Sequence, residues 1–202
     1  MKKFLALLLV CIMALAVVSC DKGETPPPAQ TPVAVDFSVF ETAIDQTPAA
    51  EIKLETKLTT ELGVLNSTVE TVFNPNGSAT VNYYIEKFNT GFETADTVIP
   101  MTGTVTLGKD GSYSDGGEFQ GLIGSNPTAV NLTLDATKFA SYAIDGTTLS
   151  AVVKAENTAA VFGAAIAADV NFILTVSNNR VISVVLNYTT AAGAVESIVT
   201  YS

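Results

Sequence analysis

From residue 36 onward the apolar positions recur at two different spacings, and each spacing predicts its own kind of element. Phe37, Phe40 and Ile44 fall on one side of a helix, with Asp36 placed to cap its start and Pro48 beyond its end. The period then drops to two. Ile52, Leu54, Thr56 and Leu58 alternate with Lys53, Glu55 and Lys57, the pattern of a strand with one wet face. Runs at 64–73 and 79–88 flank Asn74-Pro75-Asn76-Gly77, whose turn chemistry predicts a hairpin. A further pair is expected from 98–107 and 112–114 around Gly108 to Gly111, then a glycine-rich loop, then a short strand at 130–134. Asp135 begins a stretch to Tyr142 that suits a helical turn, followed by a turn at Asp145-Gly146 and a strand at 147–153. The alanine-rich segment 154–165 suits a second helix presenting Val161 and Phe162, and three strands near 169–176, 181–189 and 195–201 close the chain. The expected architecture is mainly β or α+β: an antiparallel meander curved into an incomplete barrel with short helices on one face, forming a single domain over 36–202.

The closing meander breaks the usual rule for antiparallel sheets. Setting Val176 against Val181 places Phe172 opposite Val185 and Leu174 opposite Ser183 on one face, with Ile173 opposite Val184 and Asn171 opposite Leu186 on the other. Continued across Gly193, the register puts Val185 beside Val199 and Leu186 beside Ile198. Both faces are then substantially apolar, whereas a sheet wet on one side alternates cleanly. Two coverings suit the second face. The helices can lie across it, with Phe37, Phe40 and Ile44, or Val161 and Phe162, filling the core. Alternatively, a cavity between sheet and helices takes a hydrophobic ligand.

The first 35 residues follow a different logic. Lys2 and Lys3 precede an uninterrupted apolar run over 4–18, which is short for a membrane span of roughly 20 residues and ends at Ser19-Cys20. A basic head, a short apolar run and a small residue at the end make an export signal over 1–19. Residues 20–35 then form a tether. Pro26, Pro27, Pro28 and Pro32 favour the extended polyproline conformation, with a reach of about 45 Å. Loss of residues 1–19 removes Cys11, leaving Cys20 as the one remaining thiol, so no internal disulfide forms.

Val17-Val18-Ser19-Cys20 resembles the lipobox of bacterial lipoproteins, in which a cysteine after a small residue is diacylated, freed by cleavage and usually N-acylated. That resemblance implies lipidation at Cys20 and a protein tethered outside the cytoplasmic membrane or to the outer membrane. Two or more acyl chains make such an anchor stable, each buried methylene contributing about 0.8 kcal/mol. Asp21 is similar to the inner-membrane retention signal of enterobacterial lipoproteins. The order of elements in 36–202 resembles the LolA/LppX-type lipoprotein superfamily, whose incomplete barrels bind acyl chains on a helix-lidded concave face. The resemblance implies a lid of Phe37, Phe40 and Ile44 and a ligand-lining face of Phe172, Leu174, Val185 and Val199. The membrane and a lipid or other hydrophobic molecule are the expected partners, and the rival expectation is a structural or adhesive module with a filled core.

Composition narrows the chemistry. The chain has no histidine and 20 acidic against 10 basic side chains, so removing Lys2 and Lys3 takes its formal charge from −10 to −12. That charge disfavours nucleic acid and anionic lipid surfaces as partners. Histidine-dependent triads are excluded, and the expected protein is not an enzyme and has no cofactor, metal or catalytic residue. Glu51 with Glu55 suits a solvated strand face. Asp110 with Asp115 suits turn chemistry and does not match the calcium-loop pattern.

Overall fold

The computed structural model describes residues 36–46, 50–88, 98–110, 112–115 and 132–202, all within one unit spanning Val35–Ser202. The expected export signal, Cys20, the tether, Pro48 and most of the glycine-rich loop lie outside the described residues. Among the described residues nine strands form a single sheet: β1 (Glu51–Thr60), β2 (Gly63–Phe73), β3 (Ala79–Phe88), β4 (Val98–Leu107), β5 (Phe139–Asp145), β6 (Thr148–Val153), β7 (Val170–Ser177), β8 (Arg180–Thr190) and β9 (Gly193–Tyr201). The order across the sheet is β4-β3-β2-β1-β9-β8-β7-β6-β5, and every neighbouring pair is antiparallel. Two meanders are thus joined by pairing the first strand with the last. Strands β4 and β5 remain as edges, so the barrel is incomplete.

One transverse row shows why the sheet has an inside. Gly103, Tyr83, Val69, Leu54, Val199, Val184, Leu174 and Leu149 are successive cross-strand partners from β4 to β6. Because directly opposed residues share a face, the row is a continuous apolar belt, relieved only where Gly103 leaves room for the ring of Tyr83. Leu54 sits at the middle and packs against both halves of the core.

Helix α1 (Ser38–Asp45) lies on β7 and β8, burying Phe37, Phe40 and Ala43. Eight residues are too few to hold a helix in water, so this apolar face is what keeps it folded. Asp36 falls one position too early to cap it. Phe37 occupies the cap, and the Asp36 carboxylate accepts the Ser38 N–H at 2.9 Å in a turn before the helix. The second helix, α2 (Thr158–Phe162), is shorter than the 154–165 expectation because residues Ala155–Asn157 form a 3-10 turn. It contributes buried Val161 and Phe162. Its buried Thr158 hydroxyl accepts from the Ile166 N–H at 2.9 Å and lies 2.9 Å from the Ala155 carbonyl that can take its proton.

Three expectations change. Only a single bridge, Leu107 to Tyr113, replaces the strand expected at 112–114. Leu132 to Leu134, the described part of the expected strand at 130–134, is not a strand. Asp135 does cap a turn, accepting the Thr137 N–H at 2.9 Å, but the turn covers only Ala136–Lys138 and the chain then becomes β5. Edge pairing with β6 overrides the local helical preference there.

The closing meander carries the most consequential difference. Val176 does pair with Val181, but a β-bulge between Thr175 and Val176 on the β7–β8 ladder leaves Ile182 as the extra residue. Beyond it Phe172 faces Leu186, Ile173 faces Val185 and Leu174 faces Val184. Val199 then pairs with Val184 and Val185 with Ile198. An extra residue flips everything beyond it to the other face. The faces therefore separate better than a straight register implies: Phe172, Leu174, Val184 and Val199 are buried inside, while Ile173 and Ile182 are 38% and 40% exposed outside.

Candidate functional site

The residues nominated from sequence as lid and lining separate into two groups. Phe37, Phe40, Phe172, Leu174 and Val199 are buried in one cluster, with Ile44 half-buried against it. Val185 belongs to the outer face, opposite Ile173, because of the bulge. Around Phe172 the rings pack closely: Phe162 meets Phe172 edge to face at 5.6 Å, Phe139 meets Phe172 at a tilt at 5.7 Å, and Phe37 meets Phe139 edge to face at 5.8 Å between centroids. Contacts of this geometry are favourable and leave the space between α1, α2 and these strands occupied by side chains.

An open apolar cleft of about 640 Å³ lies elsewhere, at the tips of two hairpins. The β1–β2 and β8–β9 turns read Thr60-Glu61-Leu62-Gly63 and Thr190-Ala191-Ala192-Gly193, and they are built alike. In the first, the Thr60 hydroxyl accepts the Leu62 N–H at 3.1 Å and donates to the Gly63 carbonyl at 3.1 Å. In the second, Thr190 accepts from Ala192 at 3.2 Å and donates to Gly193 at 3.3 Å. Threonine stabilises such turns by bonding to its own local backbone. Since Thr59 pairs with Ala194, the twin tips stand side by side at one end of the sheet.

Their close approach depends on Gly193. Its φ is +145°, and a Cβ there would collide with the Thr59 carbonyl oxygen. Only glycine allows the backbones this near.

The third wall comes from strands that part company. The β2–β3 ladder stops at Ser67 opposite Ile85, yet β2 runs on to Gly63 and β3 to Phe88. Glu86 occupies the fork. Its carboxylate accepts the Asn66 N–H at 2.7 Å and the Asn66 side-chain amide at 3.0 Å, and the Tyr84 hydroxyl donates to it at 2.5 Å. The Tyr84 hydrogen bond, then the Asn66 backbone bond, hold the Glu86 carboxyl below its ordinary range. A side chain thus replaces the missing ladder bond, and the divergence leaves Phe88 facing the turn.

Leu58 and Leu65, cross-strand partners on the inner face, form the floor. Leu62, 57% exposed, and Phe88 stand around it, with Ala191 and Ala192 opposite. Among the described residues, the one ionisable side chain in the lining is Glu61. The described residues of this wall offer dispersion contacts and no cation to pair an anionic headgroup. The volume is within the roughly 300–1,000 Å³ typical of small-molecule sites.

Other candidate chemistry resolves into structural roles. Glu55 pairs with Lys53 at 3.0 Å on an exposed strand face. Asp110 accepts from the Ser112 N–H at 3.1 Å and hydroxyl at 2.7 Å, which holds its carboxyl low. Among the described residues no group of three or more acidic or cysteine side chains is arranged to hold a metal, and no helix is long and apolar enough to cross a membrane.

The cleft was not singled out in the sequence, although a signal for it exists. Thr59-Thr60-Glu61-Leu62-Gly63 and Thr189-Thr190-Ala191-Ala192-Gly193 share the pattern TTxxG, with an apolar residue soon after each. Two similar hairpin tips do not announce that they are neighbours; only the β1–β9 pairing brings them together.

No protein-family model and no curated protein matches the chain. Among solved structures, a redesigned β-barrel is similar at 13% identity and a TM-score of 0.23, covering 80% of this chain and 96% of that one. A second redesigned β-barrel, bound to DFHBI, has 12% identity and a TM-score of 0.22, covering 80% and 99%. The dehydratase domain of a curacin polyketide synthase module has 6% identity and a TM-score of 0.22, covering 81% and 78%. Likenesses this distant carry no conclusion about fold or function.

Proposed function

We propose that the chain is a non-enzymatic lipoprotein, exported and held at a membrane by acyl chains on Cys20, whose β-rich module binds an apolar molecule in the cleft between the twin hairpin tips. The observation that carries the binding reading is the cleft itself: Leu58, Leu62, Leu65 and Phe88 surround about 640 Å³ of open space, a collection of large apolar groups that a purely structural turn does not require. The lack of a cation among the described lining residues favours a neutral or cationic ligand, or the tail end of an amphiphile, over a buried carboxylate. The anchor reading rests on the lipobox-like Val17-Val18-Ser19-Cys20 and on the proline-containing tether after it.

Two measurements test the halves separately. Palmitate labelling of the expressed protein should disappear in Cys20→Ala, and persistent labelling would overturn the anchor. The full Cys20→Ala chain, titrated with a neutral fluorescent hydrophobe, should bind it saturably, and Leu65→Glu should abolish that binding without lowering the melting temperature by more than a few degrees. Absence of saturable binding, or binding indifferent to Leu65→Glu, overturns the cleft.

A structural or adhesive module is the second reading. The ring packing of Phe37, Phe139, Phe162 and Phe172 favours it for the space between helices and sheet, where a filled core leaves a ligand no room. It predicts no saturable hydrophobe binding anywhere on the protein.

A further inference from the structure

The outer face of the sheet carries a second cleft, of about 530 Å³, whose lining is richer in polar side chains than that of the hairpin cleft. Asn171, Asn187, Glu196 and Lys57 are successive cross-strand partners on β7, β8, β9 and β1, so their side chains form one transverse row. Three strand spacings give the row a length of roughly 14 Å. Asn171, Glu196 and Lys57 are exposed and Asn187 is half-buried. Although Lys57 and Glu196 stand directly opposite each other, they form no ion pair, and none of the four side chains makes a hydrogen bond among the described residues.

The chemistry of this row selects a class of ligand. Each carboxamide offers a donor and an acceptor side by side, which matches a hydroxyl group that both donates and accepts. Charge within the row balances, Lys57 against Glu196. The other carboxylate at the cleft, Asp169, is already committed to Lys154 at 2.6 Å and to the Ala155 N–H at 3.1 Å. The chain as a whole carries −10, which repels anions.

Two residues along the same strands, still on the outer face, Ile173, Val185 and Ile198 form a second transverse row, with Ile173 38% exposed. A line of hydrogen-bonding groups beside an aliphatic row in which Ile173 is exposed and Val185 and Ile198 are half-buried is the complement of a molecule with hydroxyl edges and C–H faces. We propose that this outer-face cleft binds a neutral oligosaccharide, its hydroxyls bonded by Asn171, Asn187, Glu196 and Lys57 and a C–H face resting on the aliphatic row. Among the described residues the site shares only Thr59 with the hairpin cleft, and it stands or falls independently of it.

The test is calorimetric titration of the full-length protein, in a detergent without a sugar headgroup, with neutral gluco-, xylo- and N-acetylglucosamine oligomers of four to six units. Saturable binding of at least one is expected. Asn171→Ala and Asn187→Ala should each weaken it by roughly three- to tenfold, the loss of about one hydrogen-bonding group. Asn171→Asp, which keeps shape but replaces the donor, should weaken it as well, while Leu65→Glu in the other cleft should leave it unchanged. Melting temperatures identify any variant whose fold is damaged, and the isosteric aspartate serves as the reading if an alanine variant unfolds. Failure of every neutral oligomer to bind overturns the proposal. So does preferential binding of an acidic oligomer such as oligogalacturonate, or undiminished affinity in a folded Asn171→Ala/Asn187→Ala double variant.

Discussion

Val184 and Val185 are identical in chemistry and, as neighbours on a strand, point to opposite faces; the bulge at Ile182 decides which of them faces inward, so truncating each in turn tests the register. Val184 is fully buried, paired between Leu174 and Val199 in the apolar belt. Val184→Ala removes the equivalent of two methyl groups, about 1.6 kcal/mol of transfer free energy at about 0.8 kcal/mol each. The cavity left behind in a close-packed belt raises the loss to about 2–3 kcal/mol. Val185 is half-buried between Ile173 and Ile198 on the outer face, and neighbouring side chains there can settle into the gap. Val185→Ala should therefore cost at most about 1 kcal/mol. Urea denaturation of both variants measures the difference as a shift of midpoint at constant slope. In melting temperature the loss should be about 4–12 °C for Val184→Ala and no more than about 4 °C for Val185→Ala. Without the bulge the order reverses, because Val185 would then face Phe172. A Val185→Ala variant as unstable as Val184→Ala refutes the face assignment and everything built on the outer row.

Phe40→Ala should cost about 3–5 kcal/mol, since this 2%-exposed ring holds a helix too short to persist alone, and thermal unfolding will show it; a loss under about 1 kcal/mol would mean that α1 does not pack on the sheet. Gly193→Ala should destabilise by about 1–3 kcal/mol and also weaken hydrophobe binding, because strain at positive φ adds to the collision with Thr59. The matching Gly63→Ala meets only the Phe88 ring edge at 3.8 Å and should cost less; equal losses would refute the close approach of the tips. Glu86 has a folded pKa below its ordinary 4.5, so its contribution is complete above that value and is lost as pH falls through the lowered one. The stability gap between wild type and Glu86→Gln should accordingly be present at neutral pH and narrow below pH 4.5, which melting curves across that range will show; a gap independent of pH refutes the role of its charge at the β2–β3 fork.

Much of the architecture is legible along the chain because its determinants are local. Alternation in 51–60 produces β1, and Asn74 to Gly77 turns β2 into β3. Phe37 and Phe40 mark the buried side of α1. Where the details of strand pairing decide the outcome, the same rules fail. The stretch after Asp135 looks locally helical and is held as a strand by β6. Val185 looks like a core residue until Ile182 is left unpaired in the ladder. The lining residues nominated from sequence are apolar for a local reason, burial, and apolarity alone does not distinguish a packed ring from the wall of a cleft.

By itself the sequence determined the mainly β class, the short helices, most hairpin turns, the absence of histidine chemistry and the lipobox-like junction at Cys20, all of which depend on residue type and short-range spacing. Tertiary structure alone decided that β1 pairs with β9, that β2 and β3 fork at Ser67, and that one bulge sorts the closing meander into a buried and an exposed face. The fork and the bulge lie within hairpins and depend on how the paired strands pack. The first of these choices, the β1–β9 pairing, is made by contacts between residues about 150 positions apart, such as Ile52 and Tyr201, whose energies appear only when the chain has closed on itself. Both clefts arise at that stage: the apolar one where two hairpin tips meet, the polar one where four strands align their side chains.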